Sequence, residues 1–158
     1  MGISVTIRGK EFPLCLTAAA LDRINDQCGG IGGITDFLRG YPSEIARLDE
    51  KQLEAADVSR ELWEAEKLEA VSRSRVNNAW MLGLLVEEGE ENRLIEARFT
   101  EDGDFKRRAV PGPDEMVHLL TPGQAEDYRL SVLLAVKDGM KRTIETVPSK
   151  NVYQAGGR

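Results

Sequence analysis

The chain has 158 residues, 41% of them apolar and 30% charged, a balance that suits one globular domain and not a disordered chain. Its 21 basic and 27 acidic residues leave a net charge of −6, which disfavours general binding to nucleic acid or to an anionic membrane. The composition holds two cysteines and a single histidine, and the longest apolar run is Ala79 to Val86. These exclude a disulfide scaffold, a histidine-rich metal centre and a bilayer span.

The first residues, MGISVTIRGKEF, lack the apolar core of a secretion signal. Met-Gly-x-x-x-Thr brushes the myristoylation pattern, but it leads straight into strand-like residues and is discounted. A cytoplasmic protein is expected. Ile3, Val5 and Ile7 alternate with Ser4 and Thr6, and Phe12, Leu14 and Leu16 alternate after the turn Arg8-Gly9-Lys10. That is a β-hairpin over 3–16, with Pro13 marking an edge strand.

Thr17 is placed to cap a helix carrying Leu21, Ile24 and Cys28, and Gly29-Gly30 to end it. Ile34 to Arg39 predicts a turn or two of helix. From Ser43 to Glu88 the sequence is rich in Ala, Leu, Glu, Lys and Arg, with a break near Asp57-Val58-Ser59. The stretch AWMLGLLV is apolar all round, so it should be buried on most sides by its own domain or by a partner. Gly83 there would admit a close neighbour. Glu87 to Glu91 reads as an acidic, glycine-broken helix exit. Asp102-Gly103 between two mixed apolar runs predicts a second hairpin over 94–110.

Pro113 with Asp114 and Glu115 suits the first turn of a short helix bearing Met116, Leu119 and Leu120. Thr121-Pro122-Gly123-Gln124 has the form of a capping box that opens a last helix to about Lys137. The predicted fold is therefore α+β and mainly α-helical: one domain over 1–147, an N-terminal hairpin followed by a helical bundle, with a flexible tail over 148–158.

The sequence holds no arrangement suited to catalysis. His118 has no second ligand at metal-binding spacing, and no polarising group accompanies Cys15 or Cys28, which read as reduced core thiols. The glycines after Cys28 follow a helix and carry no Lys-Ser or Lys-Thr, so they form a helix stop and connector and not a phosphate loop. Glu87-Glu88 and Glu90-Glu91 read as a solvated charge run. Lys106-Arg107-Arg108 reads as surface, without interleaved stacking aromatics beyond Phe105. No catalytic, cofactor-binding or metal residue is expected, and no cofactor.

The order of parts resembles a known family. The hairpin Val5-Thr6-Ile7-Arg8-Gly9-Lys10-Glu11-Phe12-Pro13-Leu14 is followed by a helix over Thr17 to Asp26 and a glycine-rich break. An Ala- and Leu-rich central helix over Asn78 to Glu88 comes next, then helices opening at Asp114 and Thr121. This layout, over roughly residues 3–147, is similar to the tail assembly chaperones of long-tailed bacteriophages and prophages. The resemblance implies a non-enzymatic protein that binds the tape measure protein and keeps it soluble while tail tube subunits polymerise. It also implies homo-oligomers, action in the bacterial host cytoplasm, contact with the tail tube protein, absence from the mature virion, and in many phages a frameshifted longer form. The charged stretch 44–70 and the 94–110 segment depart from the simplest pattern. The residues expected to bind protein, as core or as interface, are Trp80, Met81, Leu84 and Leu85, with Leu130, Leu133 and Leu134 on the last helix. An oligomeric tail or connector component and an unrelated bacterial adaptor are the alternatives.

Overall fold

A computed structural model describes residues 2–29 and 33–141. The tail predicted over 148–158 lies outside them. The fold is α+β and mainly helical. Strands β1 (Ile3–Ile7) and β2 (Lys10–Leu14) form an antiparallel hairpin in which Val5 lies opposite Phe12. Gly9 takes φ +81° in the turn, where a side chain would be strained. Val5, Ile7, Phe12 and Leu14 are buried, as the alternation requires; β2 lies against one long helix and β1 against the last helix.

Helix α1 (Ala18–Cys28) is capped by Thr17, whose hydroxyl accepts from the Ala20 amide and donates to Glu88. Gly29 closes it in the left-handed conformation. Helix α2 (Ile34–Leu38) buries Ile34, Phe37 and Leu38. The predicted helix from Ser43 is shorter than expected. Residues 43–48 make turns, and Asp49 restarts the chain with a capping box before α3 (Glu50–Ala55). The break at 57–59 is present. Asp57 sits at φ +55°, and Ser59 caps α4 (Arg60–Thr100) through the Leu62 amide.

Helix α4 has 41 residues, about 60 Å of rise, and is the spine of the molecule. It corrects two expectations. The helix does not end over Glu87 to Glu91. It passes through Gly89, where any Cβ would overlap the Pro13 carbonyl of the hairpin lying across it. The glycine serves a crossing, not a stop. Nor is there a hairpin over 94–110. Leu94 and Ala97 are buried on the helix, Glu101 ends it at φ +56° with its amide on the Ala97 carbonyl, and 101–112 return without strands. Asp102-Gly103 is thus the exit from a helix. The signal is shared because both a C-terminal cap and a tight turn need residues that tolerate positive φ.

Three short helices complete the fold: α5 (Pro113–Leu119), α6 (Pro122–Asp127) and α7 (Arg129–Gly139). Gly112 and Pro113 lie over Gly83, which has no room for a side chain. The expected last helix is interrupted at Tyr128, whose hydroxyl donates 2.7 Å to the Thr6 carbonyl. Arg8 donates to the Leu119 carbonyl, so the hairpin is tied both to the end of α5 and to the junction of α6 and α7. No helix among the described residues is long and apolar enough to cross a membrane.

Candidate protein-binding surface

The residues of α4 fall into two halves. Ala79, Met81, Leu82, Leu84, Leu85 and Val86 are all buried, under the hairpin on one side and α5 on the other. The Cys15 amide donates 3.2 Å to the Leu85 carbonyl and seats β2 on the helix. Each large side chain sealed there contributes about 2 kcal/mol. Met81, Leu84 and Leu85 have no accessible surface, so in this conformation they are core and out of a partner's reach. Trp80 is half-buried, edge-on to Phe37 with ring centroids 5.8 Å apart. The apolar run needed no partner, because two layers of its own chain cover it.

The N-terminal half of α4 inverts the usual arrangement. Apart from Trp63, its inner face is polar or small. Arg73 donates to the Gly40 carbonyl, Ser74 and Asn78 to that of Leu38, and Asn77 to that of Phe37. These donors satisfy the carbonyls at the end of α2, which have no partner within that helix. Trp63 is buried, with its ring nitrogen on the Leu48 carbonyl and Lys67 held 4.0 Å above its ring. The large aliphatics face out instead: Leu62, Leu68, Val71 and Val76 are all exposed, Leu68 by 70%. Val76 also borders a groove of about 260 Å³ between α4 and the α5–α6 corner, with Ala79, Val117, Leu120 and Ala125 on its walls.

A second apolar field lies on α7. Val132 and Ala135 turn inward, and Leu130, Leu133 and Leu134 turn outward at 66%, 40% and 44% exposure. Of the expected binding residues these three are exposed, and Trp80 is half-buried. The α4 field was not foreseen as surface. Its signal is the row Trp63, Ala70, Ser74 and Asn78, spaced by seven and four residues, which marks the packed face and leaves the aliphatics on the other.

The acidic run is not uniformly solvated either. Glu90 is only 2% exposed and accepts from Arg93 at 2.7 Å and 2.8 Å, and from the Arg108 amide and side chain at 2.7 Å and 3.0 Å. The Arg93 hydrogen bonds, with Arg108 behind them, hold its carboxyl at about 2, well under the ordinary range. Arg107 pairs with Glu91 alongside, also lowering that carboxyl. The basic cluster therefore ties the return segment to α4. His118 is exposed, and among the described residues no group of His, Cys, Asp and Glu is placed to hold a metal ion. Cys15 and Cys28 are half-buried; burial and the nearby Glu88 push the Cys15 thiol up, away from a reactive thiolate.

Comparison with protein-family models, with curated proteins and with solved structures returns no match to this chain.

Proposed function

We propose that this protein is a tail assembly chaperone of a long-tailed bacteriophage or prophage, a non-enzymatic binder of the tape measure protein. It holds that client soluble in the bacterial host cytoplasm while the tail tube forms, contacts the tail tube protein in passing, and is absent from the finished virion. The single observation carrying the reading is the pair of exposed aliphatic fields, on α4 and α7, in a chain of net charge −6. Exposed aliphatic side chains set among charges suit contact with amphipathic client helices, with the charge keeping the complex dispersed. The hairpin-helix opening supplies the resemblance; the second feature it drew on, a helix ending in Leu-Leu-Val-Glu-Glu, instead continues to Thr100.

Co-expression with the tape measure protein tests it. The client should become soluble and co-purify with this chain. Leu68→Asp and Val76→Asp should abolish capture without unfolding the protein, since both side chains already face solvent. A client that stays insoluble and unbound overturns the reading. Detection of this chain in purified virions would replace it with a structural tail component.

A further inference from the structure

One groove on this acidic chain is bordered by an excess of cations. Gly40, at φ +80°, lets the exit of α2 lie directly on α4, where a Cβ would overlap the Ala70 carbonyl. Arg73 and Ser74 fix that crossing by donating to the Gly40 and Leu38 carbonyls. A groove of about 260 Å³ is left here, apart from the one at Val76. Ala70, Val71 and Ser74 of α4 line it, with Pro42 and Ala46 from the loop after α2. Arg39, Lys67 and Arg129 border it against one acid, Glu126. Three cations to one carboxylate leave a local charge of +2 in a chain of net charge −6. The chain does not neutralise these cations. Among the described residues the side chains of Arg39 and Lys67 have no ion pair, and Lys67 rests on the Trp63 ring. Glu126 lies 3.5 Å from Arg129 and 3.8 Å from Arg75, too far for a good hydrogen bond to either. Elsewhere the pairing is close: Arg23, Arg73 and Arg107 each lie 2.6 Å from a glutamate.

We propose that this groove docks an acidic segment of a partner protein. Carboxylates of the segment pair with Arg39, Lys67 and Arg129, and one aliphatic side chain covers Val71, which is exposed. Guanidinium groups suit carboxylates because two parallel N–H donors meet two oxygens. Arginine clusters of this kind recognise acidic motifs, and the complementary charge selects the partner more than it tightens the grip. Nucleic acid is the less suited polyanion, because no aromatic side chain lines the groove for a base to stack on. The groove is small for a ligand pocket, so one side chain and its flanking carboxylates fill it. The proposal holds whatever client the α4 field takes.

Fluorescence anisotropy with the full chain tests this, using a labelled amphipathic peptide of Leu and Glu and its twin of Leu and Lys. The net charge of −6 favours the Lys peptide, and the groove favours the Glu peptide. The Glu peptide should bind about tenfold more tightly, by a margin that shrinks as salt is raised. Arg39→Glu and Lys67→Glu should each weaken its binding about fivefold. Both side chains are exposed, so the circular dichroism spectrum should not change. Lys10→Glu, an equal change of charge on the hairpin, should leave the affinity as it was. A preference for the Lys peptide overturns the proposal. So does a loss with Lys10→Glu as large as that with Arg39→Glu, which would make overall charge the cause. A labelled single-stranded oligonucleotide that bound more tightly than the Glu peptide, through the same two residues, would overturn it in favour of nucleic acid.

Discussion

Both halves of α4 carry large apolar residues, and most of them meet different fates. In the C-terminal half Met81, Leu84 and Leu85 are sealed between the hairpin and α5; in the N-terminal half Leu62, Leu68 and Val76 face solvent. The difference lies in what crosses the helix. Glycines at 83 and 89 let two backbones lie directly on the C-terminal half, and the aliphatics around them fill the seam. The N-terminal half meets the carbonyl ends of α2 and its loop, so its inner face is chosen for donors and its grease is left outside. Hydrophobicity alone does not assign a face; the chemistry of the neighbour does.

The comparison is broken most severely in the sealed half. Leu84→Ala should cost about 3 kcal/mol, since a fully buried leucine leaves a cavity among side chains that cannot collapse freely. In a protein whose total stability is of the order of 10 kcal/mol, that is a large fraction. Urea unfolding would read it as a lower midpoint with an unchanged slope.

Glu90 lies just beyond that seam, and its effect should be smaller and dependent on pH. Its carboxyl is held at about 2, below its unfolded value, so the folded state favours the charged form. The stabilisation is present above the unfolded pKa and is lost as pH falls through the ordinary carboxylate range towards 2. Arg93 and Arg108 remain 25% and 40% exposed, so solvent screens the pairs and the contribution is about 2 kcal/mol at neutral pH. Glu90→Gln should lower the unfolding midpoint at pH 7, and the gap from wild type should narrow as the buffer is taken to pH 3. An equal gap at both pH values would mean that shape, not charge, holds the return segment.

What the sequence made legible follows the same division. The hairpin was readable because Val5, Ile7, Phe12 and Leu14 alternate against polar neighbours, and the Thr17 and Thr121 caps because a hydroxyl precedes free amides. The course of α4 past Glu88 was not, because Gly89 and Asp102-Gly103 carry the same residues that end helices and turn hairpins. Only the tertiary crossing of Pro13 tells a glycine that admits a backbone from one that stops a helix. Within the proposed surface, Leu130, Leu133 and Leu134 were named from their helical spacing, but burial of Met81, Leu84 and Leu85 depended on strands more than sixty residues away.

The smallest effect on stability is expected in the open half, and it sharpens the contrast most. Leu68 is 70% exposed, so Leu68→Ser removes little burial and exchanges one helix former for a slightly poorer one. The unfolding free energy should move by less than about 0.5 kcal/mol, as for ordinary surface changes. A loss above about 1 kcal/mol would mean that Leu68 is covered in solution, by another copy or by another segment. A neutral result, set beside the cost at Leu84, would separate the two halves by function as well as by exposure. The leucine that folding does not need would then be the one whose apolar surface is left over for binding.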